Sequence, residues 1–165
     1  ARWSDKTISP GSGPGMKTAS FDSTPTVRRS RADGAHRRES AREPMTKTLV
    51  HADDSGSVRR WVAEQLGELD LKIVSFADGE TALAFLKESS CDLLLTDLEM
   101  PNLDGLGLLA AVRELPSHRF LPVLVLSSKQ PGEFAPERRQ GVTGWLVKPV
   151  DPEHLRRWVR RVLAE

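Results

Sequence analysis

From Thr48 onward, short apolar runs alternate with stretches whose apolar residues recur every three to four positions. Thr48 to Ala52 reads as a buried strand ending at Asp53-Asp54. Ser55 is placed to cap a helix whose core face is Val58, Val62 and Leu66. Lys72 to Phe76 predicts a second strand, the Asp78-Gly79 turn follows, and Ala82, Leu83, Phe85 and Leu86 predict a second helix. The run Leu93-Leu94-Leu95-Thr96 is a third strand, apolar on both faces, that ends at Asp97. Leu106, Leu109, Ala110 and Val112 mark a third helix that stops before Pro116. Val123 to Leu126 and Gly144 to Val147 predict strands four and five. Asp151-Pro152-Glu153 is a strong helix start, and Leu155, Trp158, Val159, Val162 and Leu163 give the last helix its apolar stripe. Strands alternating with helical stretches predict an α/β, doubly wound, five-stranded parallel sheet covered on both faces.

The segment between strands four and five breaks this rhythm. Pro131, Gly132, Pro136 and Gly141 interrupt it, and only Phe134 and Ala135 are apolar. A proline inside a helix costs ~3 kcal/mol and a glycine ~1. The expected fourth helix is therefore short or irregular, with its best remaining start at Pro136, in a segment expected to be short or mobile.

Composition divides the chain in two. Residues 1–44 are rich in Ser, Gly, Pro and Arg, lack either period, and hold nine Lys or Arg against five acids. That composition predicts a disordered leader, with the folded domain over residues 45–165. The domain has fifteen basic against eighteen acidic residues, so the overall charge of +1 describes neither part. The cluster from Arg28 to Arg42 could touch nucleic acid or an acidic partner, but no aromatics interleave with its arginines, and a flexible leader is the expectation. No run reaches the roughly 18 apolar residues of a membrane span, and no signal-peptide segment follows Met16 or Met45, so a cytoplasmic protein is expected. Cys91, the only cysteine, is expected to fill apolar space rather than react.

In a parallel α/β sheet, ligands bind beyond the carboxyl ends of the strands. Asp53 and Asp54 end strand one, Asp97 strand three, Ser127 strand four and Lys148 strand five. If strands one and three are neighbours, three carboxylates converge, and like charges about 4 Å apart repel by roughly 4 kcal/mol at an effective dielectric of 20. Such a cluster calls for a cation, and hard oxygen ligands with open positions favour Mg²⁺. Lys148 adds a positive charge and Ser127 a hydroxyl donor, a set suited to accepting a phosphoryl group on a carboxylate.

The stretches DDSGSVRR, TDLEMPNLDG, LPVLVLSS and GVTGWLVKPVDPEHL resemble the receiver domain of two-component response regulators, most closely the single-domain chemotaxis (CheY-like) type, over residues 47–164. The resemblance implies a flavodoxin-like strand order 2-1-3-4-5 and a regulatory phosphoacceptor rather than an enzyme. It implies that Asp97 takes a phosphoryl group from a histidine kinase. Asp54, Asp97 and the backbone carbonyl of Glu99 would bind Mg²⁺, with Asp53 acting through metal-bound water. Ser127 would be the switch hydroxyl, Lys148 the phosphate-contacting lysine, Trp145 the switch aromatic and Gly105 the turn glycine. Glu99 and Lys129 fall where the family tunes dephosphorylation, and their opposite charges are expected to pair across the site. His51 departs from the aliphatic residue usual in strand one and is expected to be packed and hydrogen-bonded.

The implied function is a stand-alone receiver that signals by phosphorylation-dependent binding of a protein output partner, in chemotaxis or related two-component signalling. No further domain and no DNA-binding domain are expected. The alternative is a phosphorylation-independent interaction module. An aspartyl-phosphate hydrolase is disfavoured because the DxDx(T/V) pattern is lacking.

Overall fold

The computed structural model describes residues 46–164; the leader and the start of the domain at residue 45 lie outside them. Five strands, β1 (Lys47–Ala52), β2 (Leu71–Phe76), β3 (Leu93–Asp97), β4 (Val123–Ser127) and β5 (Gly144–Val147), form one sheet in the order β2-β1-β3-β4-β5. Every pairing is parallel. The helices are α1 (Gly56–Leu66), α2 (Gly79–Glu88), α3 (Gly105–Arg113) and α4 (Pro152–Leu163). The fold is the expected flavodoxin-like doubly wound one. Among the described residues no helix is long and apolar enough to cross a membrane.

Alternation along the strands sorts the core into two halves. Val50 and Ala52 of β1, Leu94 of β3 and Val123 and Val125 of β4 pack with Ala82 and Leu86 of α2 and with α3. Leu49, Leu93, Leu95, Leu124, Leu126 and Leu146 face the other way, onto Val62 and Leu66 of α1 and Leu155, Val159 and Val162 of α4. Successive strand residues point to opposite faces, so a strand of uninterrupted leucines serves both cores.

Local signals set the helix starts. The Ser55 hydroxyl accepts from the Val58 amide at 3.4 Å, and the Asp78 carboxylate from Thr81 at 2.8 Å. Asp151 accepts from His154 at 3.0 Å, with Pro152 in the first turn as expected. Asp104 caps α3 through the Gly107 amide, a cap the sequence reading did not assign. Cys91 is half-buried against the α2–α3 core, and burial pushes its thiol up to about 12, which keeps it protonated and inert.

Between β4 and β5 the only helical element is a 3-10 turn, Pro131–Glu133. The segment is short and irregular as expected: Pro131 opens the 3-10 turn, and Pro136 opens a further turn before Gly141, with the Arg138 amide donating to the Ala135 carbonyl at 3.0 Å. Pro131 takes the first helical position, and the Glu133 carboxylate returns to the Gln130 amide at 2.6 Å. Gly141 turns the chain back toward β5 at φ +87°, where a side chain would be strained.

His51 is packed, with no exposed surface, but it is not hydrogen-bonded: neither ring nitrogen meets a partner among the described residues. Its neighbours in register, Ser75 and Leu95, supply none. Burial first, then the positive charges of Lys148 and Arg59, lower its pKa from 6.5 to about 3. Between those values the unfolded chain binds a proton that the folded chain refuses, so stability complete above pH 6.5 is lost as the pH falls toward 3. In EDTA, His51→Leu is expected to remove this loss, leaving the variant more stable than the wild type by on the order of 2 kcal/mol near pH ~5. Urea unfolding at acid and neutral pH checks it; parallel pH profiles for the two proteins would contradict it.

Candidate functional site

The register of the sheet aligns the strand ends. Ala52 pairs with Thr96, Asp97 with Leu126 and Ser127 with Val147. Asp53, Asp97, Ser127 and Lys148 therefore end four adjacent strands in one row. Strand order reverses between β1 and β3, so the aspartates stand at the point where parallel sheets open a binding crevice.

One carboxylate oxygen from each of Asp53, Asp54 and Asp97 falls within 4.8 Å of the others. Asp53 is fully buried and Asp97 is 6% exposed, whereas Asp54 faces solvent. The Lys148 ammonium bridges the two buried acids, 3.2 Å from Asp53 Oδ2 and 3.2 Å from Asp97 Oδ1. Burial pushes the Asp97 carboxyl above its ordinary value; Lys148 pulls it back, and the Asp53 charge adds to the rise. Burial alone would lower Lys148, but Asp53 and Asp97 together hold it above its ordinary value, so it stays charged. The other Asp53 oxygen accepts from the Ser55 amide at 2.8 Å, while Arg59 donates to the Asp53 carbonyl at 2.6 Å. The loop after β1 is thus fixed from both sides.

Ser127 is buried, and its hydroxyl accepts from the Lys129 amide at 3.0 Å. Its carbonyl accepts from the Lys148 amide at 2.8 Å, which ties the ends of β4 and β5 together. The half-buried Trp145 donates its indole N–H to the Lys129 carbonyl at 2.8 Å and packs on Phe134, centroids 5.6 Å apart. The expected pairing of Glu99 with Lys129 is present at 2.8 Å, and Ser128 adds a 3.3 Å bond to the same carboxylate. Lys129 first holds the exposed Glu99 carboxyl below its usual range.

Gly105 opens α3, and its amide donates to the Leu98 carbonyl at 3.0 Å. A Cβ on Gly105 would overlap the Asp97 carbonyl oxygen. Glycine is required here by the close approach of two backbones rather than by a turn. The sequence pattern also missed Arg59 and Arg138; the latter reaches Asp104 at 3.4 Å. Both lie far in sequence from what they hold, or contact main chain, so spacing carried no signal for them.

Three hard carboxylate oxygens at this spacing, with one acid open to solvent, suit a small divalent cation whose oxygen ligands sit at about 2.1 Å. Such a cation would share the cluster with one fixed ammonium group.

The sequence profile described as response regulator receiver domain matches residues 49–160. The chain belongs to the response regulator receiver family. It is 34% identical over 116 residues to the chemotaxis protein CheY of Pseudomonas aeruginosa, covering 69% of this chain and 94% of that one. It is 35% identical over 112 residues to the cyclic di-GMP phosphodiesterase response regulator RpfG of Xanthomonas campestris pv. campestris, covering 66% of this chain but only 29% of that protein. Chemotaxis response regulator CheY4 of Vibrio cholerae superposes with a TM-score of 0.66 at 33% identity, covering 72% of this chain and 99% of that one. This is a regulatory receiver of two-component signalling, with a CheY-like fold.

Because the Asp97 main chain touches Gly105, Gly105→Ala is expected to destabilise the domain by about 2 kcal/mol or more. Chemical denaturation measures this; a change within experimental error would mean that the two backbones separate freely.

Proposed function

We propose that this protein is a stand-alone phosphoacceptor receiver in which Asp97 takes a phosphoryl group from a phosphohistidine of a partner kinase. The observation that carries the reading is the Lys148 ammonium 3.2 Å from both Asp53 and Asp97, beside a three-carboxylate cluster. In-line attack by an Asp97 oxygen forms a P–O bond as the P–N bond breaks, and the histidine departs as a neutral imidazole once protonated. Asp54 and Asp97 side chains and the Glu99 main-chain carbonyl would hold Mg²⁺, with Asp53 acting through its water. Mg²⁺, when bound, neutralises charge building on the transferring oxygens.

The chain's own groups do the rest. Lys148 keeps its pairing with Asp53 and turns from the Asp97 carboxylate to a phosphoryl oxygen, so its charge is never left alone. The Ser127 hydroxyl donates to another phosphoryl oxygen. Since the Lys129 amide rests on that hydroxyl and the Lys129 carbonyl on the Trp145 indole, a shift at Ser127 is carried to Trp145. Glu99 and Lys129, joined across the mouth of the site, hinder water from reaching the acyl phosphate. The signal is a change in protein partner binding, and the CheY relatives support a place in chemotaxis or a related two-component pathway.

Incubation with a small phosphodonor and Mg²⁺ should add one phosphoryl group to the wild type and none to Asp97→Asn, by intact mass. No added mass in the wild type would leave an interaction module that works without phosphorylation. Lys129→Ala should lose its acyl phosphate several times faster than the wild type. Equal decay would remove the Glu99–Lys129 pair from any part in setting the lifetime.

A further inference from the structure

Within the carboxylate cluster, Asp53 and Asp97 are steadied by Lys148, but Asp54 is not. Its exposed carboxylate pairs with no cation and accepts no hydrogen bond among the described residues. Yet it offers an oxygen within 4.8 Å of those of Asp53 and Asp97. A solvent-facing side chain without partners has only its rotamers to choose from, so its main chain decides where it can reach. For Asp54, that means the peptide on either side of it.

Both peptides are fixed. In the one after Asp54, the Ser55 amide donates to Asp53 Oδ1 at 2.8 Å. In the one before it, the Asp53 carbonyl accepts from Arg59 Nη1 at 2.6 Å. The Asp53 amide in turn donates to the Phe76 carbonyl of β2 at 3.1 Å. The first and last of these bonds lie within the loop and the sheet edge, whereas Arg59 ties the loop to the body of α1. Its guanidinium folds back along the first turn, where a Cβ on Gly56 would lie 3.5 Å from Nη2. It pairs with no carboxylate among the described residues, so no acid draws it away from the carbonyl. A charged, planar donor makes a short bond of this kind strong and directional.

We propose that Arg59 is a positioning residue for the cation site. By gripping the Asp53 carbonyl it sets the plane of the Asp53–Asp54 peptide, and through that peptide it presents the Asp54 carboxylate toward Asp53 and Asp97. Arg59 acts through Asp54 and needs no contact of its own with a metal or a phosphoryl group. The inference rests on Asp54 serving as a Mg²⁺ ligand in the function proposed above, and it adds the residue on α1 that makes that ligand ready. Charge alone predicts the opposite sign. A guanidinium beside an acidic cluster repels a divalent cation, so its removal would tighten binding if repulsion were all it contributed. Positioning predicts that its removal weakens binding.

The test titrates the full chain with Mn²⁺, reads free ion by electron paramagnetic resonance, and adds Mg²⁺ as competitor. The wild type should bind Mn²⁺ that Mg²⁺ displaces. Arg59→Met keeps much of the stem but loses the donors and the charge, and its affinity should fall by about tenfold, the usual cost of losing a group that orients a metal ligand. Arg59→Lys, with the charge and a shorter reach, should fall between the two. Arg60→Met removes the same charge from the neighbouring exposed position and should stay within about twofold of the wild type. Urea unfolding in EDTA shows which variants are folded and how far each is destabilised. Lower stability of Arg59→Met with unchanged or tighter Mn²⁺ binding would overturn the proposal, leaving Arg59 a role in the fold alone. If Arg59→Met does not fold, Arg59→Lys against Arg60→Lys replaces it: weaker binding in the first supports positioning, and equal affinities overturn it. A wild type without Mg²⁺-displaceable Mn²⁺ would instead remove the metal site itself, a failure of the functional reading that differs from indifference to Arg59.

Discussion

One ammonium group shared by two buried carboxylates is the constraint around which the domain is arranged. At an effective dielectric of 20, each Lys148 contact is worth roughly 5 kcal/mol of attraction, against roughly 4 for the repulsion between two such acids about 4 Å apart. The lysine therefore makes the pair tolerable in a nearly dry setting, while the solvent-facing Asp54 leaves an excess of negative charge. The sheet must deliver β1, β3 and β5 to a common edge for this to happen, and the parallel register does so. His51 two residues earlier stays neutral first because it is buried, and the cations near Asp53, Lys148 and Arg59, add to the effect.

From that edge a single polar path leads outward. The Ser127 hydroxyl, the Lys129 main chain and the Trp145 indole are joined in sequence by two hydrogen bonds. In place of a full helix between β4 and β5 there is one 3-10 turn, with Phe134 packed on Trp145 and the α2–α3 core. Arg113 anchors the far end through the Gly141 carbonyl at 2.7 Å. What the segment lacks in helical hydrogen bonds it replaces by side chains that hold its main chain at a few points.

Much of this was legible in the sequence because it depends on period and position. Runs such as Leu93 to Thr96 report a strand buried on both faces, and a residue that ends a strand lies at the ligand edge of a parallel sheet. The prolines and glycines from Pro131 to Gly141 were enough to forbid a regular helix. The 3-10 turn at Pro131 was not legible, because it rests on the Glu133 carboxylate returning to the Gln130 amide. The Lys148 bridge joins residues 95 and 51 positions apart, a distance over which spacing says nothing. His51 looked like a residue that would find a hydrogen bond. Its strand neighbours decide otherwise, and a strand sequence read alone does not name them. Gly105 was expected as a turn residue, but its reason lies in a backbone that comes back from β3.

The sheet is also a partition. Val50, Leu94, Val123 and Val125 belong to one core, and Leu49, Leu93, Leu95, Leu124 and Leu126 to the other, so the two halves share strands but not side-chain contacts. Substitutions under α2 or α3 and substitutions under α1 or α4 are thereby energetically separate, and their costs combine additively to within a few tenths of a kcal/mol. Only the strand ends lie in both accounts. Each half can drift in sequence without its partner having to follow, while the row from Asp53 to Lys148 must answer to both.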